Sequence, residues 1–255
     1  MKNIWAIAKK DLKGYFLTPI GYLVITVFVG LISWMFCASV VDFLKRSQMM
    51  RQFGQMAEMN LNAMVMQPVL GNMAVIFLLM GSLITMRLIA EERKMHTLEL
   101  LFTSPLRSYE IVLGKYLAGL LFFIVMLSPT LFFPLMLKFF GNPDLRQIAA
   151  GYLGVLLLGG SFIALGLFIS ALTENQITAA AVTFGLFLFF WIISWLTGST
   201  NGGAASTLVS YISIIDHLSN FIRGLIDTRD LIYYFSFIFF GLFLTHQAIE
   251  SHRWR

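Results

Sequence analysis

The sequence predicts an all-α integral membrane protein with six transmembrane helices in a single domain spanning residues 1–255. Of its 255 residues, 58% are hydrophobic and only 12% are charged, and the mean hydropathy is +0.80. Soluble domains carry about 25% charged residues, so this composition belongs to the membrane class. Six apolar runs each approach the roughly 20 residues that cross about 30 Å of hydrocarbon. These predicted spans are residues 19–41, 69–90, 117–139, 149–172, 177–196 and 231–247.

Residues 1–17 predict an amphipathic helix that lies in the membrane interface, with Trp5 at the polar boundary. The apolar side chains at helical spacing are Ile4, Trp5, Ala8, Leu12, Tyr15 and Phe16. The opposite side carries the basic residues Lys2, Lys9, Lys10 and Lys13, which suit anionic lipid headgroups. A signal peptide is the alternative, but the run 19–41 is too long for one and no A-x-A site follows it. We therefore expect an uncleaved first span.

Two spans contain residues that interrupt a helix or allow close packing between helices. Ser128-Pro129 and Pro134 fall in the third span, where each proline is expected to kink or break the helix. The fourth span is rich in glycine, which allows close helix packing within the subunit. The single cysteine, Cys37, excludes an internal disulfide and is expected to be a small buried residue of the first span.

One long, densely charged segment separates the second and third spans and reads EERKMHTLELLFTSPLRSYEIVLGKY, residues 91–116. Its charged side chains do not belong in hydrocarbon, so the segment is expected in water. Residues 97–101 predict a short helix, which Ser104-Pro105 ends because proline does not continue a helix. Two short helical pieces with a hinge are suited to docking a soluble partner; an ordinary solvated loop is the alternative. Glu174 and Asn175, between spans four and five, offer a smaller second contact or another plain loop.

The distribution of basic residues predicts the orientation, because lysine and arginine are enriched on the cytoplasmic side. With both termini and the segment 91–116 on one side, that side receives Lys2, Lys9, Lys10, Lys13, Arg87, Arg93, Lys94, Arg107, Lys115, Arg253 and Arg255. The other side receives fewer: Lys45, Arg46, Arg51, Lys138, Arg146, Arg223 and Arg229. Both termini are therefore expected in the cytoplasm.

Two external segments have helical patterns. Residues 48–62 predict a second amphipathic helix, and residues 208–226 predict a short helix packed on the mouth of the bundle, containing His217, Phe221 and Gly224. Methionines 56, 59, 64 and 66 offer soft copper ligands. Packing of flexible methionine on the apolar face of an interfacial helix is the favoured interpretation.

Several kinds of chemistry are not expected in this chain. The sequence has no Walker A motif, no H-E-x-x-H, no C-x-x-C and no G-x-S-x-G, and its four histidines are scattered, which argues against a metal site. The basic residues form no stripe with interleaved aromatics, which argues against nucleic acid. The span cores contain no ionisable residue, unlike most ion-coupled carriers. Energy is therefore expected from a partner.

Within the charged segment, Glu91-Glu92-Arg93-Lys94, Thr97 to Leu101, Ser104-Pro105, Glu110 and Gly114-Lys115 resemble the cytoplasmic signature of ABC-2 type permeases, the membrane subunits of one exporter class of ABC transporters. The resemblance implies a coupling helix that docks a separate ATP-binding subunit, present as a dimer, which binds ATP and magnesium; this chain would hold no cofactor. The implied docking residues, here named the coupling segment (residues 91–105), are Glu91, Glu92, Arg93, Lys94, Thr97, Leu98, Glu99, Leu100, Leu101, Ser104 and Pro105. Glu99 would pair with a basic residue of the partner, while Leu98 and Leu101 fill its groove.

The external segments look most like those of the permease of gliding-motility-type ABC exporters. That likeness implies a bacterial inner-membrane protein, a second permease copy or paralogue, and an auxiliary subunit with a large periplasmic domain. Two alternatives remain open. One is a scaffold that transmits force to an external partner without moving a substrate, and the other is a permease for copper-site maturation.

Overall fold

The computed structural model describes residues 2–52, 60–95, 97, 106–199 and 213–253. Within these ranges the chain is helical without strands, and six helices are long and apolar enough to cross a membrane. The predicted all-α fold with six spans is therefore confirmed. The helices are α1 (Lys2–Leu17), α2 (Pro19–Gln52), α3 (Gln67–Thr85), α4 (Ala90–Lys94), α5 (Ser108–Leu127), α6 (Phe132–Phe140), α7 (Leu145–Leu172), α8 (Gln176–Ser199), α9 (Ile214–Ile222) and α10 (Thr228–Arg253).

The first span is longer than its apolar run. Helix α2 has 34 residues, or about 51 Å at 1.5 Å per residue, and so exceeds the hydrocarbon core by a wide margin. Residues 48–52, predicted to begin a separate amphipathic helix, are instead the last turn of α2. Residues 53–59 lie outside the described ranges, and a π-helical turn, Asn62–Met66, leads into α3.

The second predicted span, 69–90, is not one continuous helix. Helix α3 ends at Thr85, and α4 begins at Ala90 after an irregular joint, residues 86–89. Ser170 of α7 stabilises the interruption between α3 and α4 by binding backbone groups that have no partner within either helix. Its hydroxyl oxygen accepts hydrogen bonds from the N–H groups of Ile89 (3.0 Å) and Ala90 (2.9 Å), which have no intrahelical acceptor at the start of α4.

The third span breaks once, whereas two interruptions were predicted. A 3₁₀ turn, Ser128–Leu131, separates α5 from α6, as the Ser128-Pro129 pair indicates. Pro134 breaks nothing because it lies in the first turn of α6. The carbonyl of Thr130, four residues before Pro134 and thus without its usual donor, accepts a hydrogen bond of 2.8 Å from the hydroxyl of Tyr152.

Helix α7 occupies the centre of the bundle and is the most buried span, with 78% of its apolar window inside the structure. Its glycines lie directly against neighbouring helices, as predicted. A Cβ atom on Gly159 would lie 2.1 Å from the ring of Phe123, and one on Gly166 would lie 2.3 Å from Thr85 Oγ1. By contrast, only 22% of the α2 window and 17% of the α8 window are buried. Cys37 of α2 is exposed, contrary to prediction, because α2 buries so little of its surface.

Candidate functional site

A buried lysine organises the end of the bundle that carries α1 and α4. Lys115 is 1% exposed. Its Nζ donates to the carbonyl oxygen of Leu88 at 2.5 Å and lies 3.0 Å from Asp11 Oδ2 and 2.7 Å from Glu92 Oε2. Two carboxylates and a carbonyl satisfy the ammonium group, which would otherwise be too costly to bury. We call Asp11, Leu88, Glu92 and Lys115 the Lys115 cluster.

The Lys115 cluster joins three parts of the chain, because Asp11 belongs to α1, Glu92 to α4 and Lys115 to α5. Helix α1 lies directly on α5 at Gly114, where an added Cβ atom would be 2.8 Å from Ile7. The amide of Asn3 also donates to both carboxylate oxygens of Glu110 at 3.3 Å. Helix α1 is thus attached to the third span along much of its length.

Burial in α1 follows a stripe rotated from the predicted apolar face. Ile7, Ala8 and Tyr15 are buried, whereas Trp5 is 59% exposed. The Tyr15 hydroxyl donates to the carbonyl oxygen of Ile84 at 2.6 Å, and burial raises the pKa of Tyr15 above its usual value. Lys9 and Lys13 are exposed. Lys10, predicted to face headgroups, lies 3.3 Å from Glu92 Oε1.

Helix α4 is fixed to the rest of the bundle through its charged side chains. Arg93 donates to the carbonyl oxygen of Ala171 at 2.7 Å, and its guanidinium lies 3.4 Å from Glu174 Oε1. Arg87, in the joint before α4, lies 3.3 Å from Glu91 and donates to Thr18 Oγ1 at 3.1 Å. Thr97 donates to the carbonyl oxygen of Glu92 at 3.3 Å. Helix α4 is therefore joined by side-chain contacts to α1, α5 and α7.

The opposite end of the bundle holds a second buried polar group. His217 Nδ1 of α9 lies 2.6 Å from Asp230 Oδ1 of α10, and the Asn220 amide donates to Asp230 Oδ2 at 3.0 Å. The His217 ring stacks on Tyr233 with centroids 4.1 Å apart. Phe221 is fully buried. It lies directly against Gly154 of α7, where an added Cβ atom would be 2.5 Å from the Cβ of Phe221.

Gly224 ends the external helix α9 in a left-handed conformation, with φ of 86°. The N–H of Gly224 donates to the carbonyl of Phe221, and the N–H of Leu225 donates to that of Asn220, both at 2.9 Å. This pair of bonds is a Schellman motif, which favours glycine at this position. The predicted residues His217, Phe221 and Gly224 therefore seat and terminate one short helix.

Comparison with known families decides the class of the protein. A family model described as ABC-2 family transporter protein matches residues 5–245. This chain belongs to the ABC-2 transporter family. None of the curated proteins compared with it matches. As an ABC-2 protein it is a multi-pass membrane permease, a transport component rather than an enzyme in its own right.

The structure places the predicted coupling residues of this ABC-2 protein in two groups. Glu91, Glu92, Arg93 and Lys94 form most of α4, and the side chains of Glu92 and Arg93 make contacts inside the chain. The remaining predicted docking residues, apart from Thr97, lie outside the described residues: Leu98, Glu99, Leu100, Leu101, Ser104 and Pro105. Their docking role stays a prediction.

Sequence reasoning missed the residues that anchor this segment in the ABC-2 fold. Asp11 and Ser170 have no predicted role, and Lys115 is predicted only as a cytoplasmic basic residue and as part of the Gly114-Lys115 pair. At the opposite end of the bundle, Asp230, the partner of His217, has no predicted role either. A signal was present for Lys115, since a lysine in the second turn of an apolar helix needs a buried counter-charge. In the described part of the chain, no three His, Cys, Asp or Glu side chains are grouped to hold a metal ion.

Proposed function

We propose that this ABC-2 protein is the permease subunit of an ATP-driven exporter, and that a separate ATP-binding subunit docks on the coupling segment, residues 91–105. The observation that carries this proposal is the anchoring of α4. Lys115 ties α4 to α1 and α5, while Arg93 and Ser170 tie it and its joint to the end of α7. A solvated loop needs no such anchoring, whereas a segment that receives force does.

The joint between α3 and α4 interrupts the second span, so α4 would move with the helices that it contacts rather than as a continuation of α3. Backbone groups released by the joint bind side chains: the carbonyl of Leu88 accepts from Lys115, and the N–H groups of Ile89 and Ala90 donate to Ser170. Closure of two ATP-binding subunits would push the coupling segment. The ion pairs would pass that displacement to α1, α5 and α7 as rigid elements.

A second permease copy or paralogue would complete the pathway, because six spans are half of the usual number in this family. The exposed faces of the first and fifth spans are the candidates for the shared interface, since α2 and α8 bury least in the single chain. The second span is 67% buried and is the weaker candidate. The positive-inside distribution supports both termini in the cytoplasm. The bacterial inner membrane enters the proposal through the family resemblance.

An auxiliary subunit with a large periplasmic domain, as in the gliding-motility-type exporters, remains part of the proposal. The external helix α9 offers a fixed platform for it, since His217, Asp230 and Gly224 hold that helix in place. The neighbouring Leu225 and Ile226 are exposed apolar residues at this end. If the auxiliary subunit is the only recipient of the movement, the chain is a force-transmitting scaffold. Of the four methionines considered as copper ligands, Met66 is fully buried in the apolar core and Met64 is half-buried, whereas Met56 and Met59 lie outside the described residues. The copper-maturation alternative stays untested.

Affinity purification in a gentle detergent, followed by mass spectrometry, tests the docking proposal. The native chain is expected to retain a soluble protein bearing a Walker A motif, and Glu99→Arg is expected to lose it because like charges would then meet. Glu250→Arg is the matched control, since Glu250 is a partly exposed acid near the end of α10. Retention of the ATPase by Glu99→Arg, or its absence from the native sample in several detergents, would contradict the proposal. Substrate release from reconstituted vesicles separates an exporter from a scaffold.

A further inference from the structure

A cavity of about 420 Å³ opens at the α1 end of the bundle, beside the Lys115 cluster. Its walls come from the second half of α1, Thr18 before α2, the joint after α3, helix α4 with Met95 and Thr97 after it, and Lys115 of α5. This volume falls within the range of small-molecule sites, roughly 300–1,000 Å³. Nothing described so far assigns a ligand to it.

The charges of the cavity wall balance. Three basic residues, Lys10, Arg87 and Lys115, face three acidic residues, Asp11, Glu91 and Glu92. All six are already paired within the chain, Lys115 with Asp11 and Glu92, Lys10 with Glu92, and Arg87 with Glu91, so a ligand would exchange with these ion pairs. A purely anionic or purely cationic ligand would meet as many like charges as opposite ones. A zwitterionic ligand could pair its positive group with an acidic residue of the wall and its negative group with a basic one.

Two buried polar atoms of wall residues lack a well-aligned hydrogen bond: Arg87 Nε and Glu92 Oε2. Both lie near an opposite charge, Arg87 Nε at 3.3 Å from Glu91 and Glu92 Oε2 at 2.7 Å from Lys115. Buried donors and acceptors are normally satisfied. Each of these two atoms is shielded from solvent, so a ligand reaches it only where the existing ion pair opens. One is a donor suited to phosphate, and the other is an acceptor suited to an ammonium group.

The rim of the cavity is apolar and strongly exposed, with Leu17 83% and Met95 65% accessible. Leu17 is the last residue of α1, two residues before the first span begins at Pro19. A polar cavity with an apolar rim at a predicted membrane interface suits an amphiphile better than a soluble ion. Recognition of a quaternary ammonium requires an aromatic cage. Among the residues lining the cavity Tyr15 is the aromatic one, so a primary ammonium bound by carboxylates fits better.

We propose that this cavity binds the headgroup of an aminophospholipid. Lys10 and Arg87 hold the phosphate, Glu91 and Glu92 hold the primary ammonium, and the acyl chains leave past Leu17 and Met95. The inference does not use the ATP-binding partner, so it stands or falls separately from the docking proposal.

Native mass spectrometry of the full-length chain tests this, after exchange into an equimolar mixture of phosphatidylethanolamine, phosphatidylcholine and phosphatidylglycerol with matched acyl chains. Phosphatidylethanolamine is expected to be retained in preference to both other lipids. Lys10→Gln and Glu91→Gln are each expected to reduce its retention about tenfold, through the loss of one charge-assisted hydrogen bond.

The matched controls are Lys9→Gln, next to Lys10 but outside the cavity wall, and Glu250→Gln on α10. Both should retain phosphatidylethanolamine as the native chain does. Equal retention of phosphatidylcholine or phosphatidylglycerol would overturn the proposal, as would an equal loss in the controls. A parallel sample with soluble glycerophosphoethanolamine separates the two sources of this headgroup. Displacement of the lipid by that compound at equal concentration would assign the site to a soluble ligand and reject the lipid.

Discussion

The Nζ atom of Lys115 lies 2.5 Å from the carbonyl oxygen of Leu88, in the joint where the second span leaves its helix. The same ammonium group contacts carboxylates of α1 and α4. One side chain therefore both satisfies a freed backbone carbonyl and connects three helices. This relationship makes the joint a defined structure and ties the coupling segment to the bundle.

Lys115→Met is expected to destabilise the chain strongly, because it leaves Asp11 and Glu92 without their buried counter-charge and Leu88 without a donor. Removing one partner of a buried ion pair costs about 3–5 kcal/mol. The free energy of unfolding in mixed micelles measures the effect. Lys13→Met on the exposed face of α1 is the control and should change little. Equal stability of the two variants would show that the cluster does not hold α1 in place.

Ser170→Ala is expected to cost about 1–3 kcal/mol, because it leaves the N–H groups of Ile89 and Ala90 without an acceptor. Ser161 of the same helix provides a matched control, since it is also fully buried but bonds only to the carbonyl of Leu157 in its own helix. The same unfolding measurement applies. A loss in Ser161→Ala as large as that in Ser170→Ala would rule out a specific role for Ser170 at the joint.

Gly166→Ala is expected to destabilise by about 1–3 kcal/mol, the usual cost of overpacking. The added methyl group would lie 2.3 Å from Thr85 Oγ1 and 2.5 Å from Thr85 Cβ, at the end of α3. Gly71→Ala is the control, because an added Cβ there meets nothing within 4 Å. The apparent melting temperature, followed by size-exclusion chromatography after heating, should fall for Gly166→Ala alone. Similar values for both variants would mean that α7 and α3 separate without cost.

The six spans were predictable because the bilayer fixes the length and composition of a crossing segment. Each predicted run overlaps one of the six observed spans, although the second and third spans are divided into more than one helix. The amphipathic pattern likewise predicted α1, but the stripe it buries depends on contact of Ile7 with Gly114 in another helix. The local sequence around α1 does not predict which residues of a distant helix it contacts. Asp11 and Lys115 are 104 residues apart, and Ser170 lies 81 residues from Ile89. The prediction that Pro134 interrupts the span was wrong for a different reason. The effect of a proline depends on where its helix begins, and α6 begins at Phe132, two residues before Pro134.

His217 and Asp230 are expected to be energetically coupled, because either substitution removes the 2.6 Å contact between His217 Nδ1 and Asp230 Oδ1. A double-mutant cycle of His217→Ala, Asp230→Ala and the double variant measures this coupling, with an expected interaction energy of about 1–3 kcal/mol. The cycle removes effects that each residue has through other neighbours, such as Asn220 and Tyr233. His246 and Glu250, an ion pair with partly exposed side chains one turn apart on α10, provide a control cycle with an expected coupling below about 0.5 kcal/mol. A coupling of that small size for His217 and Asp230 would mean that the pair does not hold α9 against the last span.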